Sequence, residues 1–161
     1  MERLWSPWRA KYIATGVDSQ SDRCIFCDIG ADPANDETNF VVHRSNLGFI
    51  VLNLYPYITG HLLVIPYEHT GEFDTVPKEI TDELMDLAKK AQSALRAVYS
   101  PPGFNIGINL GAAAGAGIVG HLHIHVLPRW SGDTNFMTTV AESRVIPESL
   151  ETTYSKLRSK F

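Results

Sequence analysis

The stretch Gly107-Ile-Asn-Leu-Gly-Ala-Ala-Ala-Gly-Ala-Gly-Ile-Val-Gly-His-Leu-His-Ile-His-Val-Leu-Pro-Arg129 decides how this chain folds. Within it His121, His123 and His125 alternate with Leu122, Ile124 and Val126. A β-strand points successive side chains to opposite faces, so the alternation puts three imidazoles on one side and three aliphatic groups on the other. A strand that merely needed a polar outer face has simpler residues to choose from. Three groups that titrate near neutral pH point instead to a nucleophile or a metal array. The glycine-rich approach leaves backbone N–H groups uncovered, which suits an anion.

Outward from this segment, residues 104–110 alternate and read as a strand. Asn109 stands near its end, placed to reach a substrate. Upstream, residues 77–98 carry Ile80, Leu84, Leu87, Ala88, Ala91, Leu95 and Val98 at steps of three and four, the apolar stripe of one long helix. Pro77 suits a first helical position, and Ser100-Pro-Pro-Gly103 stops the helix. Residues 40–43 and 48–53 are β-prone runs joined by a short Arg-Ser-Asn link, a strand pair. Residues 61–66 are almost wholly apolar and read as a central strand, while residues 54–60 are a Pro/Gly connection. A terminal helix is expected over residues 147–160. Residues 14–23, 32–38 and 131–136 read as loops. Strands outnumber helices and hairpin-like links dominate, so the fold class is α+β with a mainly antiparallel sheet, one long helix and a C-terminal helix.

At 161 residues with 44% hydrophobic content, one domain with its own core is expected. Charge is 14 basic against 18 acidic residues, and no like-charge run exceeds two. That gives no footprint for nonspecific nucleic-acid binding, though a small anionic ligand held by local donors remains open. No apolar run approaches the roughly 20 residues needed to span a bilayer. The N-terminal Met1-Glu-Arg-Leu-Trp-Ser-Pro-Trp-Arg9 lacks the apolar core of a signal peptide. A cytoplasmic protein with no membrane partner is expected. Trp5, Trp8 and Tyr12, interleaved with Arg3, Arg9 and Lys11, form an arm that packs on the core or on a second subunit, or else stacks on a nucleobase.

The two cysteines, Cys24 and Cys27, form a C-x-x-C with no clear strand before it. A thioredoxin-type redox motif needs that strand, so metal binding is the better reading if two more ligands are found.

His121-Leu-His-Ile-His-Val-Leu-Pro-Arg129 resembles the signature of the histidine triad (HIT) superfamily. Asn53, eight residues before His61 in Asn-x7-His-Leu-Leu-Val-Ile-Pro, extends the likeness. It covers most of residues 24–130. The expected organisation is a single HIT domain over residues 1–161, with an N-terminal arm (1–23), a core (24–130) and a C-terminal extension (131–161). Leu4-Trp-Ser-Pro-Trp-Arg9 and Arg129-Trp-Ser-Gly-Asp-Thr-Asn-Phe136 are similar to segments of the branch holding bacterial diadenosine tetraphosphate phosphorylases.

The resemblance implies an enzyme that cleaves dinucleoside polyphosphates at the α-phosphorus through a covalent nucleotidyl-histidine, later released by phosphate or water. It makes His123 the nucleophile and His125 the group that hydrogen-bonds the phosphoryl group or leaving oxygen. Asn53 becomes the ribose contact, although an Asn there also suits the cap of a turn. The backbone of Gly115, Ala116, Gly117, Ile118 and Val119 would stabilise phosphoryl oxygens. Many relatives carry Gln or Ser where Gly117 stands, so one polar contact is missing, and the choice between phosphate and water stays open. Zinc-bearing relatives pair a C-x-x-C with a downstream His and the first triad histidine, which implies Cys24, Cys27, His69 and His121 as ligands of one structural zinc per chain. The alternative is a reduced thiol pair beside a surface His69. His61 would support the site, and His43 has no assigned part. No organic cofactor is expected. A homodimer is, since the family commonly pairs its subunits. Alternatives are hydrolysis of a nucleoside phosphoramidate or adenylyl conjugate, and a non-enzymatic nucleotide-binding zinc protein.

Overall fold

The computed structural model of the chain describes residues 23–134 and 146–161. The aromatic arm and residues 135–136 of the expected loop lie outside the described residues. Five antiparallel strands form one sheet: β1 (Val41–Arg44), β2 (Gly48–Leu52), β3 (Leu62–Pro66), β4 (Gly103–Ile108) and β5 (Ile124–Arg129), in the spatial order β1-β2-β3-β5-β4. Among the described residues three α-helices accompany it: α1 (Ile25–Ala31), α2 (Lys78–Tyr99) and α3 (Leu150–Arg158). The α+β expectation and the mainly antiparallel sheet hold.

The apolar periodicity of α2 becomes one buried stripe, Ile80, Leu84, Leu87, Ala88, Ala91 and Leu95. It packs on Ile50, Leu52, Leu62, Val64, Ile124 and Val126, with Leu157 of α3 in the same cluster. On the other face of the sheet, Phe26 and Ile29 of α1 pack with Val41, Phe49, Val51, Leu63 and Ile65. β2 and β3 are apolar throughout because both of their faces are covered. Ser100 adopts a left-handed φ of 45° where α2 ends, ahead of Pro101 and Pro102. Gly60, at φ +79°, turns the chain into β3 where a Cβ would come within 2.9 Å of Leu95.

Two elements differ from the sequence expectation. The histidine strand starts at Ile124 rather than His121. Its ladder with β3 runs from Leu62↔Val126 to Val64↔Ile124, and the Leu122 N–H turns aside to donate to the Thr70 carbonyl at 2.7 Å. The side-chain alternation nevertheless extends through the segment: Leu122, Ile124 and Val126 enter the α2 core, while His121 and His123 lie against Phe26 of α1. The second difference is α1 itself, which no periodicity announced. Seven residues are too few to form a stable helix unaided. Arg44 ties down its C-terminal end, donating from Nη2 to the Ile29 carbonyl (2.8 Å) and from Nη1 to the Gly30 carbonyl (2.9 Å) while pairing with Asp36 (2.7 Å).

Candidate active site and metal centre

The chain delivers all three triad histidines to the α1 side of the sheet, but each meets a different environment. Hydrogen-bond partners fix the proton positions, because a carbonyl oxygen only accepts and a backbone N–H only donates. His123 places Nδ1 2.9 Å from the His121 carbonyl, so Nδ1 carries the proton and Nε2 keeps its lone pair. The ring is 5% exposed, and burial lowers its pKa below the usual imidazole value. A neutral ring with an available Nε2 is the nucleophilic form.

His125 has the opposite tautomer. The Tyr57 N–H donates to His61 Nδ1 at 3.1 Å, which leaves the His61 proton on Nε2. That proton is donated to His125 Nδ1 at 2.8 Å. The His125 proton therefore sits on Nε2, 3.5 Å from the Asn109 Nδ2 position, and with that proton in place the Asn109 amide must turn its oxygen, not its NH2, toward the ring. Tyr57 also lies against both rings, 4.7 Å from His61 and stacked on His125 at 5.9 Å. Asn53 enters the same system, its Nδ2 3.3 Å from His61 Nδ1 and its Oδ1 accepting the Tyr55 N–H at 2.9 Å. The turn-capping reading of Asn53 thus holds in the geometry, and the residue still borders the cleft.

That cleft holds about 690 Å³, its open mouth included. Ile25, Phe26, Ile29, Val51 and Leu63 make its apolar wall, and Asn53, His123 and His125 make its polar end. An apolar hollow with a few convergent polar groups is the usual form of a small-molecule site. Gly117 and Ile118 of the glycine-rich loop line it. The expected donor run is narrower than five amides. The Gly115 N–H bonds the Ala112 carbonyl (3.0 Å) and the Ala116 N–H bonds the Gly111 carbonyl (3.3 Å), closing the loop's own turn. Val119 borders a different hollow, with Gly71 and Phe73. The α1 side chains and Tyr57 were missed from sequence; Ile25, Phe26 and Ile29, spaced one and four residues apart between and beyond the cysteines, were the available signal.

His121 points its Nε2–H at the Pro66 carbonyl (2.9 Å), leaving the Nδ1 lone pair toward Cys24 Sγ (3.3 Å) and Cys27 Sγ (3.5 Å). His69 Nδ1 lies 3.2 Å from Cys27 Sγ. The ligand atoms of Cys24, Cys27, His69 and His121 all fall within 4.8 Å of one another. Tetrahedral Zn–S and Zn–N bond lengths imply S···N edges of roughly 3.5 Å, so the four groups fit such an ion. Burial and the neighbouring Cys24 raise the Cys27 pKa, as expected of two close thiols whose ionisation a cation would favour. Gly71 makes the arrangement possible: a Cβ there would lie 2.6 Å from the Val119 carbonyl, and the loop could not press His69 toward Gly120 and the His121 segment.

Comparison with known proteins agrees with this geometry. The HIT-domain model matches residues 34–132. An AP-4-A phosphorylase of Mycobacterium tuberculosis is 40% identical across all of this chain and 85% of its own length. An asymmetrical bis(5'-nucleosyl)-tetraphosphatase of Schizosaccharomyces pombe is 38% identical over 58% of this chain and 50% of its own. Among solved structures, a zinc-bound histidine triad family protein from Mycobacterium smegmatis superposes with a TM-score of 0.68 at 29% identity, covering 85% of this chain and 91% of that one. With its triad, its sheet order and a family match over most of its length, the chain belongs to the HIT family.

Proposed function

We propose that this protein is an enzyme that cleaves dinucleoside polyphosphates, such as diadenosine tetraphosphate, at the α-phosphorus through a covalent nucleotidyl-His123, with phosphate as the second substrate. The observation that carries the reading is the pair of ring contacts, His123 Nδ1 on the His121 carbonyl and His125 Nδ1 on His61 Nε2, which implies an Nε2 lone pair on His123 beside an Nε2–H on His125, both bordering one cleft.

His123 Nε2 attacks phosphorus, a P–N bond forms, and the P–O bond to the departing polyphosphate breaks opposite it. The phosphorylated ring becomes cationic, and the His121 carbonyl on Nδ1–H stabilises that charge. His125 Nε2–H donates to the leaving oxygen, whose charge grows as the bond opens. Asn53 holds the ribose, the apolar wall the base, and the Gly117 and Ile118 backbone the phosphoryl oxygens. In the second step the nucleophile replaces the imidazole and restores neutral His123. Water would need a base there, and His125 already carries its proton on Nε2. A phosphate oxygen arrives anionic and needs none, which favours phosphorolysis. The similarity to the mycobacterial AP-4-A phosphorylase over the full chain supports the same choice.

The Cys24, Cys27, His69 and His121 set holds one structural zinc, which ties the N-terminal segment to the sheet and keeps His121 out of proton transfer. The protein is a cytoplasmic homodimer: β4 pairs only with β5 among the described residues, and its exposed Ile106 offers a face for a second copy. No helix among the described residues is long and apolar enough to cross a membrane. The chain forms one functional domain. Product analysis with diadenosine tetraphosphate tests the reaction: with inorganic phosphate present the expected products are ADP and ATP, whereas AMP and ATP in equal amounts would replace phosphorolysis with hydrolysis.

A further inference from the structure

α1 serves both halves of the site. Cys24 and Cys27 face the metal cluster, while Ile25, Phe26 and Ile29 form the wall of the cleft. Phe26, 7% exposed, meets two of the three triad histidines, His121 and His123. Its ring stands edge-on to His121 at 5.5 Å and 89°, and to His123 at 5.2 Å and 64°. The helix is too short to hold this position by itself. Arg44 anchors its C-terminal end. At the other end Cys24 makes no side-chain cap, and the Arg23–Asp28 pair is solvent-exposed and adds little. Among the described residues, the two sulfurs in the cysteine–histidine cluster are the remaining polar anchor of that end.

We propose that Phe26 is a positioning residue through which the cysteine–histidine centre sets the His123 ring and the cleft wall, so that zinc binding and nucleotide binding are coupled. The inference rests on the nucleotide reading above. With zinc held, α1 is fixed, the Phe26 edge limits rotation of His123, and the apolar wall stands ready for a base. Without zinc the wall loses its anchor, and a nucleotide must spend part of its binding energy ordering it. Linkage requires the converse: a bound nucleotide must slow or weaken zinc release by the same equilibrium factor.

The test uses the full chain, zinc and AMP. AMP affinity is measured by calorimetry on zinc-loaded and chelator-stripped protein, and zinc affinity by competition with a chromogenic chelator with and without saturating AMP. Both ratios should agree, at about fivefold or more. Amide exchange on stripping should rise first in residues 25–31. Phe26→Leu should keep zinc, bring both ratios close to one, and lower kcat more than it raises KM. Ile25→Ala, at a cleft position without a ring contact to the histidines, should weaken AMP equally in both forms and preserve the coupling. Equal AMP affinities with and without zinc, AMP-independent zinc affinity, or no zinc uptake overturns the inference. An Ile25→Ala variant that loses the coupling as fully as Phe26→Leu overturns the assignment to Phe26. If stripping unfolds the protein globally, zinc-loaded Phe26→Leu decides: a fall in kcat larger than the rise in KM supports the assignment, and an unchanged kcat overturns it. Zinc-loaded protein that binds neither AMP nor diadenosine tetraphosphate refutes the functional reading itself.

Discussion

His121 and His125 stand four residues apart on one side of the same segment, and their neighbours give them opposite chemistry. His121 is held by the Pro66 carbonyl, so its lone pair turns to two thiols. His125 is held by the His61 N–H, so its proton turns to the cleft. Between them His123 takes its orientation from a backbone carbonyl two residues back. In the proposed function, identical side chains on a regular spacing take three parts: a ligand, a nucleophile and a hydrogen-bond donor. The difference lies in what is bonded to the ring nitrogen that does not act.

That contrast can be broken in graded steps. His123→Ala removes the attacking nitrogen, and turnover should fall by on the order of 10³-fold or more while AMP still binds. Single-turnover kinetics and mass spectrometry for a nucleotidyl adduct check it; near-normal turnover would take His123 out of the chemistry. His61→Phe keeps an aromatic ring but removes the donor that fixes the His125 tautomer. The expected cost is about 100-fold in kcat, with KM little changed. A KM effect alone would make His61 a packing residue.

Gly71→Ala acts on the metal end. Its Cβ would meet the Val119 carbonyl at 2.6 Å, so the loop must shift, at a cost of about 1–3 kcal/mol. Thermal unfolding should drop by several degrees, and zinc should be held less tightly; an unchanged Tm would mean the loop is free to move. The smallest effect lies far from both ends. Hydrogen bonds from Arg129 hold Asp133 down to about 2, below the ordinary 3.8. A depressed carboxyl contributes stability above the unfolded pKa and loses it as pH falls through the folded one. Arg129→Ala should therefore flatten the fall in stability between pH 4 and pH 2, seen in urea unfolding across that range.

The parts legible in the sequence were those governed by a repeat. The alternation at 121–126 and the three-to-four spacing of α2 each state which face is buried, and the sheet and long helix followed from them. The cysteine–histidine set came from resemblance, and the four residues do converge. α1 was not legible, because its position is settled by contacts from elsewhere: Arg44 at one end and the sulfur–histidine cluster at the other. The tautomers were equally out of reach. They depend on Tyr57, Pro66 and His61, whose proximity only the fold supplies. The amide run of the glycine-rich loop was over-read for the same reason, since sequence cannot tell a free N–H from one already engaged in its own turn.

The sheet also works as a partition. Residues facing α2 and α3 close the larger apolar cluster, and residues facing α1 close the smaller one, from which Val51 and Leu63 also line the cleft. The two sets interleave along β2 and β3 one position at a time. Ligand preference can therefore drift through Val51 or Leu63 while Ile50, Leu52, Leu62 and Val64 keep the architecture intact. A scaffold divided in this way lets a few cleft positions change the shape of the hollow without touching the packing beneath α2.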